Sequence, residues 1–179
     1  MVDFKQKLLL FGVALWFAVF FYVKAHAQAT TGDNLQWQYD DIIVNSPSGE
    51  VLEIVSDCKT YNRLFPYIKL SRVLSINQCY LENRTLGERF WMHIRTDKRI
   101  SQDKKTVWFT TEMVEGNVKY FEFRIKVIQL GENKTTVIFG MKADLGIPGV
   151  PDSMVQDMVK KIIHKSLVNL QVRLLLGKY

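Results

Sequence analysis

The groups that could move a proton, ligate a metal or attack an electrophile are few in this chain. Cys58 and Cys79 are its two cysteines, and His26, His93 and His164 its three histidines. None has the close spacing to a second nitrogen, sulfur or carboxylate that a zinc site uses. His164 falls among lysines, and His93 takes the polar parity of an alternating segment, so both read as solvated or satisfied side chains. No serine sits in a nucleophile elbow, and no glycine-rich phosphate loop occurs. The residues therefore call for no metal and no cofactor.

Glu88 is the carboxylate with most chemical potential. It shares parity with Phe90, Met92 and Ile94, and so would point into an apolar face. Burial there disfavours the charged form and raises the pKa, which suits a general base or an orienting group for a ligand hydroxyl. Arg72 on the neighbouring segment offers the other role for Glu88, an ion pair near the sheet edge. The two cysteines read either as a disulfide, if the compartment is oxidising, or as small buried hydrophobes.

The elements that must position these groups follow from periodicity. Leu35 to Val44 alternates as a first strand, and Asn45-Ser46-Pro47-Ser48-Gly49 breaks it. Ser46 or Ser48 can cap a short helix that carries Val51, Leu52, Ile54 and Val55 on one face. A second short helix from Asp57 ends at Pro66. Period two then takes over, with Ile68, Leu70, Leu74 and Ile76 on one parity. Turn residues at Glu82-Asn83-Arg84, at 101–105, at Glu115-Gly116-Asn117 and at Gly131-Glu132-Asn133 divide the rest into antiparallel hairpins.

In the later strands Phe121, Phe123, Ile125 and Val127 alternate with Glu122, Arg124 and Lys126. One wet face and one apolar face describe an antiparallel sheet covered on one side. The cover is the tail, where Val155, Met158, Val159, Ile162, Ile163, Leu167, Leu170 and Leu174 recur at three and four residues after Pro151. Lys160, Lys161, Lys165 and Arg173 fall mainly on its other side. The fold class is α+β, in the order β-α-α-β-β-β-β-β-α.

The N-terminus has a basic start, an apolar run from Leu8 to Val23 and an Ala25-x-Ala27 exit. That is the pattern of a secretory signal peptide cleaved after Ala27, or otherwise of an uncleaved membrane anchor. The expected organisation is residues 1–27 as signal, 28–34 as a short polar linker and 35–179 as one domain, exported to the periplasm or secreted. Loss of Lys5, Lys7, Lys24 and Asp3 lowers the formal charge from +6 to +4. So mild a bias, with no clustered patch, gives no basis for nucleic-acid binding and fits loose attraction to an anionic membrane.

The element order, together with Val55-Ser56-Asp57-Cys58-Lys59-Thr60-Tyr61-Asn62-Arg63-Leu64-Phe65-Pro66-Tyr67-Ile68-Lys69-Leu70-Ser71-Arg72-Val73-Leu74, resembles the lipid-transfer and polyketide-cyclase superfamily. This is the START-like superfamily with the helix-grip fold, and the phrase is most similar to its coenzyme Q-binding, polyketide cyclase/dehydrase branch. The resemblance spans Leu35 to Leu175. It implies a curved sheet of seven strands, one more than the periodicity yields, wrapped around a long C-terminal helix with a pocket between them. Members bind sterols, phospholipids, quinones or plant hormones, and some cyclise polyketides. The branch mostly lacks an export signal, which sets this chain apart from respiratory or ribosomal roles.

The pocket lining that the resemblance implies comprises Phe65, Tyr67, Leu70, Arg72 and Leu74 from the entry segments. From the middle strands it takes Glu88, Phe90, Met92, Ile94, Phe109 and Met113. Phe121, Phe123, Ile125, Val137, Phe139 and Met141 come from the last two strands, and Val155, Met158, Val159 and Ile162 from the tail helix. By spacing alone the same aromatic and methionine residues read as ordinary core.

The expected function is a monomeric carrier of a hydrophobic small molecule or lipid, with a cyclase or aromatase in the same pocket as the alternative. A protein partner on the basic helix face around Lys160 and Lys161 is a third reading. Phe65-Pro66-Tyr67 and Gly146 to Pro151 are apolar loops that either touch a membrane transiently or serve as stiff turns. Asn83-Arg84-Thr85 and Asn133-Lys134-Thr135 are glycosylation sequons at expected turns, with meaning only in a host that glycosylates.

Overall fold

The computed structural model describes residues 35–85 and 88–177, without the side chains of Thr85 and Glu88. The expected signal segment, 1–27, and the expected polar linker, 28–34, lie outside the described residues. The chain opens with β1 (Gln38–Val44), α1 (Ser48–Ser56), a 3-10 turn (Cys58–Thr60) and the four-residue α2 (Tyr61–Leu64). Six strands come next: β2 (Ile68–Ser75), β3 (Gln78–Thr85), β4 (Glu88–Ile100), β5 (Thr106–Gly116), β6 (Tyr120–Gly131) and β7 (Lys134–Asp144). A 25-residue helix, α3 (Asp152–Leu176), closes the sequence of elements.

All seven strands join one antiparallel sheet in the order β1-β7-β6-β5-β4-β3-β2. Consecutive hairpins build it from β2 to β7, and β1 returns to pair with β7, Gln38 facing Met141 and Val44 facing Thr135. The sheet and α3 enclose the core. Val155, Val159, Ile163, Leu167 and Leu170 on the helix are buried against Ile94, Phe109, Ile125, Val127, Val137 and Phe139 of the sheet. The helix starts where expected, because Pro151 cannot donate but its carbonyl accepts from the Met154 and Val155 amides. Gly177 ends it at φ 74°, a conformation that costs glycine nothing.

Three local expectations need correction. The periodicity gives six strands, whereas the structure has seven, because Ile76 and Asn77 make a two-residue turn between Ser75 and Gln78 with neither glycine nor proline to mark it. Glu82, Asn83 and Arg84 accordingly lie inside β3 and not in a turn. Neither Ser46 nor Ser48 caps α1: Pro47 precedes the helix without a side-chain bond, and buried Ser46 uses its carbonyl to accept from the Thr135 hydroxyl at 2.8 Å.

The third correction concerns β2. Its pairing shifts between Ile68 and Leu70 and again between Val73 and Ser75. A bulge adds a residue to one strand and so reverses the parity of the residues after it. Ile68 pairs with Asn83, but Leu70 pairs with Glu82 and Arg72 with Tyr80. Leu70 and Arg72 therefore share the wet face with Glu82 and Tyr80, and Leu74 is 48 % exposed at the second bulge.

The wet face has its own order. The Glu122 carboxylate accepts from the Tyr120 hydroxyl at 2.7 Å and from Arg124, and pairs with Lys142 at 3.3 Å. Arg124 in turn lies 4.2 Å over the Trp37 ring. Burial alone would raise the Glu122 pKa, but the Tyr120 hydroxyl, Arg124 and Lys142 together hold it below the usual carboxylate range.

A disulfide joins Cys58 of the 3-10 turn to Cys79 of β3, with 6.2 Å between the Cα atoms. It settles the open reading of the two cysteines in favour of a bond. The bridge spans 21 residues, a loop whose closure is worth about 3 kcal/mol in the chain-entropy account. Replacing both cysteines by alanine is expected to lower the unfolding free energy in urea by about that amount. The same titration of wild type with reductant should approach the variant.

Candidate ligand-binding site

The concave face of the sheet carries an apolar pocket under α3. Its wall is Phe65 and Pro66 after α2, Ile68 of β2, Leu81 and Asn83 of β3, and Met92 of β4. Phe121 and Phe123 of β6, Met141 of β7 and Ile162 of α3 complete it. Pairing puts these side chains together: Leu81 faces Met92, and Phe123 faces Met141. The free volume is only about 40 Å³, against roughly 300 to 1,000 Å³ for sites that hold a small molecule. Aromatic rings fill the difference. Phe65 packs on Phe123 at 5.2 Å and on Phe139 at 5.8 Å, and Phe121 meets Phe123 edge to face at 5.9 Å.

A second cavity of about 350 Å³ lies further along the same face, beside the disulfide. Asp57, Cys58 and Tyr61 form one wall, and Cys79, Thr96, Lys98 and Phe109 the other, with the β2–β3 turn residues Ile76, Asn77 and Gln78 at its rim. Its lining is far more polar. The Thr96 and buried Thr111 hydroxyls bond each other at 2.9 Å, and the Lys98 ammonium stands 5.8 Å over the Phe109 ring. Asp57 accepts from the Lys59 amide at 3.0 Å and so caps the 3-10 turn.

The sequence-predicted residues divide between these places. Phe65, Met92, Phe121, Phe123, Met141 and Ile162 line the apolar pocket, while Phe109 lines the second cavity. Phe90, Ile94, Ile125, Val137, Phe139, Val155 and Val159 are buried core behind the pocket walls. Met113 and Met158 are half-buried. Leu70, Arg72 and Leu74 are outside the pocket because the β2 bulges turn them away. Tyr67 is 38 % exposed at φ 74°, with the Lys165 ammonium 5.6 Å over its ring.

Glu88 pairs with Thr85 at the start of β4, and its side chain is outside the described part of the molecule. Its expected ion pair with Arg72 does not fit the register. Arg72 is level with Tyr80 and His93, five residues further along β4. Sequence reasoning misses Pro66, Ile68, Leu81 and Asn83 as pocket residues. The alternation of Cys79, Leu81 and Asn83 against Tyr80, Glu82 and Arg84 is the available signal, hidden when that stretch is read as a turn. Asn83 in the pocket wall is also a poor place for a glycan, whereas Asn133 is exposed between β6 and β7.

His93 and His164 take no part in either cavity. His93 lies on the wet face, with Nδ1 3.3 Å from Glu115 and its ring edge-on to Tyr80 and Trp91. His164 faces Asp40 of β1 at 3.0 Å beside an open groove of about 400 Å³ lined by Tyr39, Lys160, Lys161 and Lys165. Among the described residues no group of three or more histidine, cysteine or acidic side chains could hold a metal. Of the two expected loops, Phe65 is buried, and Ile147 and Val150 pack partly against the core.

Comparison with solved structures places this architecture. A START superfamily protein from Mycobacterium smegmatis superposes with a TM-score of 0.65 at 19 % identity, over 76 % of this chain and 95 % of that one. The fold is START-like. The Zhui aromatase/cyclase from Streptomyces sp. R1128 gives a TM-score of 0.62 at 15 % identity, covering 77 % and 92 %. A Thermus thermophilus protein gives 0.65 at 15 %, covering 80 % and 100 %. No protein-family model matches the sequence, and no curated protein matches it. Identities this low establish the START-like fold and leave the ligand to be argued from the cavities.

Tyr61, at the junction of the two cavities, is buried and donates its hydroxyl to the Val55 carbonyl at 3.1 Å. Burial pushes the phenol far above its ordinary value of about 10, against a hydrogen bond from Thr96 and with the Asp57 charge adding to it. The folded state thus keeps a proton that the unfolded chain releases. Stability is complete below pH ~10 and falls as pH rises beyond it. Tyr61→Phe is expected to cost about 1 kcal/mol at pH 7 through the lost bond. It should also flatten the alkaline decline by up to about 1.4 kcal/mol per pH unit, read from urea titrations at pH 7, 10.5 and 11.

Proposed function

We propose that this protein is an exported, monomeric carrier that holds a hydrophobic small molecule, a lipid or isoprenoid, between the sheet and α3. The observation that carries the reading is the apolar pocket itself. Phe65, Phe121, Phe123, Met92 and Met141 converge there with a single polar side chain, Asn83, in the wall. Methionines adapt to variable apolar shapes, and withdrawing a chain from water is worth about 0.8 kcal/mol per methylene. Binding needs no chemistry beyond that burial. The N-terminal pattern supports export, and the Cys58–Cys79 bond supports it independently, because disulfides persist in oxidising compartments.

Loading from a membrane fits the surroundings. Tyr67 adjoins Pro66 of the pocket wall and presents an aromatic ring with the Lys165 cation over it. Aromatic and basic groups together favour the interface of an anionic bilayer. Contact there would be transient.

The likeness to the Zhui aromatase/cyclase favours a second reading, in which the same pocket folds a reactive chain. That reading requires a titratable group within reach of the chain. Tyr61 is the buried candidate, and its raised pKa keeps it a neutral hydrogen-bond donor and not a base.

Native mass spectrometry of protein purified from its own host, with extraction of what co-purifies, tests the carrier reading. A one-to-one lipid adduct is expected. Phe121→Arg, which puts an unpaired cation in the pocket wall, should reduce occupancy at least about tenfold. An apo mass and no uptake of a fluorescent fatty acid would remove the proposal and leave turnover of a poly-β-ketone as the assay to pursue.

A further inference from the structure

The apolar pocket and the polar cavity lie in one trough. Along β4 the inward residues run Met92, Ile94, Thr96 and Lys98; along β3 they run Asn83, Leu81 and Cys79. The first members of each row line the apolar pocket, and the last line the polar cavity. Between the two stand Tyr61 and Phe65, whose rings meet edge to face at 5.1 Å. Phe65 belongs to the wall of one space and Tyr61 to the wall of the other.

Both rings come from one small unit. Tyr61 opens the four-residue α2 and Phe65 caps it. Behind the unit is the disulfide that ties the preceding turn to β3, and ahead of it is Tyr67 at φ 74°. A helix of one turn has little hydrogen bonding of its own. Apart from the Tyr61 hydroxyl's bonds with the Val55 carbonyl and Thr96, its rings are held by packing, and a ligand that replaces the packing can displace them.

We propose that the two spaces are the ends of one channel for a single-chain amphiphile with an anionic head, and that Tyr61 and Phe65 are its movable partition. The chain lies under α3 in the apolar end, where Phe65 occupies the room it needs. The head lies beside the disulfide, where Thr96, Asn77 and Gln78 offer hydrogen bonds and Lys98 offers the charge. Asp57 is the opposing charge in that cavity, and its carboxylate is already engaged by the Lys59 amide of the turn it caps. A carboxylate head suits this end better than a cation or a bare hydroxyl, because the Lys98 ammonium gains a charge-assisted bond. The inference rests on the lipid-binding reading and adds to it the ligand's polarity and its orientation.

Displacement of cis-parinaric acid from the purified protein by palmitate and by hexadecanol tests it. These competitors share a chain and differ in the head. Wild type should prefer palmitate by about tenfold, and Lys98→Gln should erase that preference while leaving hexadecanol unchanged. Phe65→Leu, a change tolerated in apolar surroundings and checked by circular dichroism, should tighten both competitors several-fold. Equal palmitate and hexadecanol affinities in wild type, a preference that survives Lys98→Gln, or Phe65→Leu binding no better than wild type would each overturn the channel while leaving a lipid carrier. A protein that takes up no cis-parinaric acid at all would overturn both.

Discussion

An antiparallel sheet with one aromatic, apolar face cannot stand uncovered in water, and α3 is the element that covers it. The stripe from Val155 to Leu170 is buried along most of the helix length, and its apolar area supplies the main favourable term in the fold. Everything functional depends on how imperfectly one rod covers a curved surface. A straight helix touches the sheet most closely at β7 and β1 and leaves the trough over β3 and β4 to be filled by other means. The short helix α2 and its aromatic residues fill it.

That division of labour explains why the filler is lightly built. The residues of α3 are fixed by three and four residue spacing over 25 positions, whereas α2 has four residues and depends on a covalent tie to β3. In a protein that holds a ligand, the part that yields should be the part with least intrinsic order, and local stability is unevenly distributed in this way. Tyr61 fits this position. Its hydroxyl donates within the α1–α2 segment, to the Val55 carbonyl, and a hydrogen bond from Thr96 of β4 ties it to the sheet.

Much of this is legible in the residues, and the failures have physical causes. The tail helix, the α1–α2 pair and the wet and dry faces of β6 and β7 come from apolar periodicity that burial enforces. Phe121, Phe123, Met92 and Met141 fall on the pocket side by parity alone because their strands are regular there. Leu70, Arg72 and Leu74 defeat the same reasoning because β2 is not regular: an added residue reverses the face of its successors, and no residue type announces it. Leu81 and Asn83 are lost because Glu82-Asn83-Arg84 reads as a turn, whereas the turn at Ile76 and Asn77 has neither glycine nor proline to mark it. The second cavity has no signature in the sequence, since its walls come from separate segments brought together by the disulfide and the register.

The irregular β2 strand also ends the sheet, and a sheet's last strand is a template on which further chains can grow. Two register shifts within eight residues, with Lys69 at the first, interrupt the row of donors and acceptors that such growth requires. The Ser71 hydroxyl meanwhile links this strand to the turn before α2, accepting from the Asn62 amide and donating to the Lys59 carbonyl. The distortion that removes three side chains from the pocket thus also blunts this edge against pairing with a further strand.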